Sequence, residues 1–164
     1  MDWNKELHRI VATAIIHRGN KFLIVRRALD LKVFPGKWTV PGGGMTIDDY
    51  QNEPPTTKDG SWYYSLENTL RREILEEVGL EVGEIKYLLD LTFIRPDKIP
   101  VLTLSFYAPW LSGEVTLSAE NTDHAWVTAG EARDYDLIAG IPEELQMVER
   151  IFAGQDPRLV KIGE

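Results

Sequence analysis

The sequence predicts an α/β fold, a sandwich built around a mixed β-sheet. Three observations carry that prediction. Strand-like apolar runs bounded by turn residues recur along most of the chain. A repeat of Leu66, Leu70, Ile74 and Val78 marks one buried helix face. A second stripe, Ile141, Leu145, Val148 and Phe152, marks another near the end.

The elements follow in order. Residues 9–16 (RIVATAII) read as a largely buried strand. His17 to Asn20, with Gly19, form a turn into a second strand over residues 21–26. Residues 28–37 are a loop ending in Pro35-Gly36, and residues 38–40 a short strand running into Pro41-Gly42-Gly43-Gly44. Residues 45–64 contain Pro54-Pro55 and Asp59-Gly60 and show no period, so they read as a long surface loop. Ser65 is the expected N-cap of the first long helix, and Gly79 suits its C′ position. Residues 84–94 and 101–108 read as strands joined by a turn at 95–98. Two further short strands are expected at 114–117 and 124–127. Thr128 and Glu131 fit a capping box, and Pro142 suits the first turn of the last helix. No repeat or linker divides the chain, so residues 1–164 are expected to form one domain with an inserted loop at about 45–64.

Composition narrows the function. The chain has 164 residues, enough for a sizeable core. Eighteen Lys and Arg against 26 Asp and Glu give a net charge of −8. That balance argues against a nucleic-acid polymer or an anionic membrane as partner, since both need a basic footprint. A small anionic substrate stays open, because a bound cation can invert the local field. With no cysteine, disulfides, thiolate catalysis and zinc–thiolate sites are excluded. No signal-peptide core and no apolar run of about 18 residues is present, so a cytoplasmic location is expected.

The chemistry concentrates in residues 72–80, REILEEVGL. Glu73, Glu76 and Glu77 stand at i, i+3 and i+4, on one helix face with Cβ atoms about 5–6 Å apart. Three clustered carboxylates repel unless a cation sits among them. Mg²⁺ answers that need, taking oxygen ligands while keeping waters for substrate phosphates. A solvated acidic face would account for any one pair. The whole string of Arg, three Glu and Gly at fixed offsets arises by chance only on the order of once in ten thousand such chains.

Trp38-x-x-Pro41-Gly42-Gly43, followed by Arg72-Glu73-Ile74-x-Glu76-Glu77-x-Gly79-Leu80, resembles the Nudix hydrolases, whose signature is G-x5-E-x7-R-E-U-x-E-E-x-G-U with U a bulky aliphatic residue. The second half of the signature is complete. The first half is stretched: 22 residues separate Asp49 from Arg72 where the pattern has seven, an insertion of about 15. Asp49, or Asp48 if Gly42 is the anchor, stands where the family has its first Glu; Glu53 and Glu67 are weaker substitutes. Trp62, Tyr63 and Tyr64 are expected to pack under the inserted loop rather than to cover a substrate.

The resemblance implies an α/β/α sandwich and Mg²⁺-dependent hydrolysis of a diphosphate bond in a nucleoside diphosphate derivative, with Mn²⁺ as a substitute metal. It implies Glu73, Glu76, Glu77 and the Gly42 carbonyl as metal ligands, with Arg72 pairing carboxylates at the helix start. Glu73 and Glu120 are both candidate general bases. Arg26 and Arg27 are candidate phosphate contacts. Among the aromatics Phe34, Trp38, Phe106, Trp110 and Tyr135, the first two are the candidates for stacking on substrate. His8, His17 and His124 read as structural. The substrate is expected to be a (deoxy)nucleoside triphosphate; a sugar nucleotide, ADP-ribose, a dinucleoside polyphosphate, or an inactive nucleotide-binding module are the alternatives. A homodimer is open.

Overall fold

The computed structural model describes residues 3–162; Met1, Asp2, Gly163 and Glu164 of the expected domain lie outside the described residues. Its element order is α1 (Trp3–Glu6), β1 (Arg9–Arg18), β2 (Lys21–Arg27), β3 (Trp38–Thr39), β4 (Gly42–Gly44), α2 (Ser65–Val78), β5 (Glu81–Val82), β6 (Lys86–Ile94), β7 (Pro100–Ser112), β8 (Asn121–Val127) and α3 (Ile141–Phe152). Short 3-10 turns lie at Ile47–Asp49 and Glu131–Asp134.

β1 is the axis of the sheet. Its parallel partner is β7, with Arg9 beside Val101 and His17 beside Pro109. β2 returns from β1 antiparallel through Gly19 and Asn20, a two-residue turn with Gly19 at φ 62°. β4 pairs antiparallel with residues 11–13 of β1. β6 lines the far side of β7, while β3 and β8 pair with β2. One parallel pair among antiparallel ones makes the sheet mixed, as expected.

Both faces of β1 are covered, which explains its near-continuous apolar run. Ala12, Ala14 and Ile16 face one way and pack with Leu70, Ile74 and Val78 of α2. Ile15 faces the other way and packs with Leu145 and Val148 of α3. The molecule is therefore an α/β/α sandwich, with each helix held by the apolar stripe its sequence shows.

Three details depart from expectation. Residues 114–117 form no strand; the partner at that end of β7 is β5. Tyr64, at φ 63°, caps α2, and Ser65 is its first helical residue, its hydroxyl donating to the Trp62 carbonyl. Phe152 faces inward only in part: its ring meets the core residues Phe22 and Tyr107 and packs edge-on to His17, yet it stays half exposed. The capping box does form: Thr128 N–H donates to Glu131, and Glu131 N–H to the Thr128 hydroxyl. Among the described residues no helix is long and apolar enough to cross a membrane.

Candidate active site

α2 delivers the glutamates by its own pitch. With Leu70, Ile74 and Val78 fixed in the core, Glu73 and Glu77 emerge where α2 passes the glycine strand β4. Gly79, at φ 69°, ends the helix one residue past the core stripe. β4 is glycine for steric reasons. A Cβ at Gly43 would overlap the Glu73 carboxyl, and one at Gly42 would overlap the Ala12 backbone. Helix and strand thus approach closer than side chains would allow.

Glu77 is the most constrained acid here. It is 9% exposed, and its Oε2 accepts the Gly42 N–H at 2.9 Å. Burial pushes its pKa up to about 7; the Gly42 hydrogen bond and Arg27 oppose the shift, and Glu73 and Glu120 add to it. Burial also raises Glu73, against the pull of Arg72. A nearly buried carboxylate with two acidic neighbours and one backbone donor is short of positive charge. That donor set, hard oxygens only, fits a hard divalent cation.

Arg72 is the hub of the ion pairs. Its guanidinium reaches Asp49 at 2.7 Å, Glu73 at 2.9 Å and Glu76 at 2.7 Å. The carboxylates at the helix start are not its partners; Glu67 pairs instead with Arg71. Asp49, the expected stand-in for the signature's first glutamate, is the partner that reaches Arg72 from the inserted loop. Its side chain is only 5% exposed, and it accepts the Thr46 N–H as well as Arg72. Burial would raise Asp49, but the Thr46 and Arg72 hydrogen bonds more than offset it and hold the carboxyl below its ordinary range. Asp48 is exposed and accepts from Gln51.

The inserted loop folds back on itself. Trp62 packs on Tyr50, ring centroids 5.5 Å apart, and its Nε1 donates to the Glu53 carbonyl. Tyr63 and Tyr64 do not pack beneath it; they are 58% and 75% exposed.

A cleft of about 880 Å³ gathers most of these groups, within the range of small-molecule sites. Gly42, Glu73, Glu77, Glu120, Arg27 and Phe34 all line it. Other expected residues lie elsewhere. Arg26 is turned from the cleft, its Nε donating to the Gly36 carbonyl. Trp38 packs edge-on to Tyr135, 4.8 Å between centroids, as part of the core under α3. Phe106 and Trp110 pack against the core under α2. Glu76 is 59% exposed on its side chain and held by Arg72, outside the cleft. Among the described residues, no three carboxylate or histidine side chains converge as a metal cage.

Several cleft residues were not anticipated: Arg9, Phe93, Arg95 and Glu144. Glu144 had a readable signal. It falls on the buried stripe of α3, at i+3 from Ile141 and beside Leu145, where an acid is out of place.

Comparison with known proteins agrees with this architecture. The NUDIX domain family matches residues 7–150. The "Nucleoside triphosphatase NudI" of Klebsiella pneumoniae (strain 342) is 30% identical over 142 residues, covering 80% of this chain and 89% of that protein. The protein of the same name from Enterobacter sp. (strain 638) is 32% identical over 139 residues, covering 79% and 88%. Among solved structures, the MutT protein of Methanosarcina mazei Go1 superposes with a TM-score of 0.66 at 23% identity, covering 88% of this chain and 95% of that one. A C. elegans Ap4A hydrolase, solved as a binary complex, gives 0.66 at 19% identity, covering 90% and 99%.

Proposed function

This chain belongs to the Nudix family, and from that premise we propose that it hydrolyses nucleoside triphosphates, deoxy forms included, with Mg²⁺ as its metal. The reaction class, a Nudix-type pyrophosphohydrolase, follows from the family and from its nucleoside triphosphatase relatives. One observation carries the site assignment: Glu77, nearly buried against Gly42 and crowded by Glu73 and Glu120 in a cleft of ligand size.

In this reading Glu73, Glu77, the Gly42 carbonyl and, once freed from Arg72, Glu76 hold the metal. A bound divalent ion supplies neutralisation of phosphate charge and a water of lowered pKa. The chain's residues do the rest. Gly43 lets the Glu73 carboxyl, and Gly44 the Arg9 guanidinium, lie directly against the backbone of β4. Arg27, whose Nε is fixed on the Val33 carbonyl at 3.0 Å, presents positive charge to the phosphates. Arg72 orients Glu73, and Asp49 orients Arg72. Glu120 accepts the proton of the attacking water, since Glu73 is already engaged by Arg72. The water oxygen bonds to phosphorus in line with the departing oxygen, the phosphoanhydride P–O bond breaks, and a nucleoside monophosphate and pyrophosphate leave. The domain acts as one unit carrying the 45–64 insertion.

The test is a panel of nucleoside triphosphates, ADP-ribose, sugar nucleotides and dinucleoside polyphosphates with Mg²⁺, wild type against Glu77→Gln. Triphosphates are expected to be the best substrates, with Glu77→Gln lowering kcat on the order of a hundredfold or more. A preference for ADP-ribose or a dinucleoside polyphosphate would reassign the substrate. An active Glu77→Gln would remove the metal assignment.

A further inference from the structure

The cleft has a second end, remote in character from the glutamates of α2. Its floor is the α3-facing side of the sheet, and register orders it into rungs. Thr13 lies beside Ser105, Val11 beside Thr103, and Arg9 beside Val101. On the next strand Leu91 stands beside Thr103, and Phe93 beside Val101. From the innermost rung to the outermost is about 13 Å. Val40, Ile138 and Ile141 add apolar walls. Phe34 and Phe93, 6.2 Å apart, lie where the cleft opens.

At the inner end sits Glu144 of α3, 2% exposed and lining the cleft. Ser105, fully buried and not itself a lining residue, donates its hydroxyl to Glu144 Oε2 from behind. No other hydrogen bond reaches that carboxyl among the described residues. One neutral donor is too little for a buried carboxyl, and an apolar side chain would fit this stripe at lower cost. The carboxylate whose field reaches it is its neighbour Glu143, whereas Glu77 feels Glu73 and Glu120. Ser105, which holds Glu144, flanks Thr13 on one side of β1, while Gly42 pairs with Thr13 on the other, so β1 lies between Glu144's anchor and the glycine strand. Its surroundings, apolar walls with Thr13 and Thr103 in the floor and the Glu144 carboxyl oriented at the inner end, are those of a site for a flat heterocycle.

We propose that Glu144, held by Ser105, reads the substrate's nucleobase by accepting an N–H from its hydrogen-bonding edge through the free oxygen Oε1. This rests on the nucleotide hydrolase reading above and adds to it a selector for the base. The base lies between the sheet and the walls at α3, and the phosphates run to β4 and α2.

Hydrolysis of UTP, CTP, GTP and ATP is compared with that of ribose 5-triphosphate, which has no base. In the wild type the preferred base gains at least about tenfold in kcat/KM over the base-free compound. Glu144→Leu is expected to raise KM for that base by roughly ten- to a hundredfold, leaving kcat and ribose 5-triphosphate turnover within about threefold. Glu144→Gln keeps the side-chain volume and is expected to change the rank order of bases, because it faces the base with an NH₂ as well as a carbonyl. An equal loss on ribose 5-triphosphate, or an unchanged rank order in both variants, overturns the proposal. Calorimetric binding of the non-hydrolysable α,β-imido analogues of UTP and GTP separates the two readings. If the wild type hydrolyses nothing, the reaction assignment falls. Base-selective binding abolished by Glu144→Leu still upholds the selector, and binding that ignores the base or the variant overturns it.

Discussion

In metal-free protein Glu77 gains a proton on folding, because burial penalises its charge. Its folded pKa of about 7 lies above the ordinary carboxylate value, so the folded protein binds the extra proton between the two. The resulting stabilisation is complete below about pH 4.5 and is lost as pH rises through about 7, a difference of roughly 3 kcal/mol at most. Metal-free protein is therefore expected to melt at higher temperature near pH 5.5 than near pH 8. Glu77→Gln should flatten that part of the profile; thermal melts in chelator at a series of pH values decide it. At Gly43 the issue is space. Gly43→Ala places a methyl group on the Glu73 carboxyl and must move it. Activity should fall at least about tenfold while the melting temperature shifts little, since the neighbour that must yield is the far end of a side chain.

At the scale of elements, the insertion is tied to α2 by one ion pair, Asp49 with Arg72. Asp49→Ala leaves Arg72 with Glu73 and Glu76 only. The expected cost is about 1–2 kcal/mol of stability, because Arg72 is partly exposed, with a larger relative loss in kcat as Glu73 loses its orientation. Asp49→Glu should restore more activity than Asp49→Asn. Trp62 does a different job, closing the insertion on Tyr50 and on the Glu53 carbonyl. Trp62→Ala should speed proteolytic cleavage within residues 51–63 without lowering the melting temperature of the whole protein by more than a degree or two. A large loss of global stability would show that the insertion belongs to the core. How much of this was legible differs between the elements. The stripes of α2 and α3 stand in the sequence because the 3.6-residue period is local. The strand expected at 114–117 was misplaced because apolar alternation cannot say which segment reaches the edge of β7.

Over the whole molecule the cleft is a shortage of positive charge placed between two helices and one sheet. Mg²⁺ should therefore raise the melting temperature, and more at pH 8 than at pH 6, since protonated Glu77 competes with the metal. Calorimetric scans with and without Mg²⁺ at the two pH values test this; an equal shift at both would show that Glu77 does not bind the ion. By itself the sequence determined the α/β class, both helices, the glutamate triplet with its glycine strand, and the family, because each is written in spacings of a few residues. It did not determine which side chains face the cleft. Arg26 and Arg27 are neighbours on one strand, yet only Arg27 lines the cleft, because successive strand residues point to opposite faces. Trp38 was taken up by Tyr135, and Glu76 by Arg72. Asp49 became the partner of Arg72 across an insertion of about 15 residues, and Glu144 met Ser105 from 39 positions away. Only the tertiary structure decides such meetings, because the sheet's register and the packing of α3, not distance along the chain, bring the groups together.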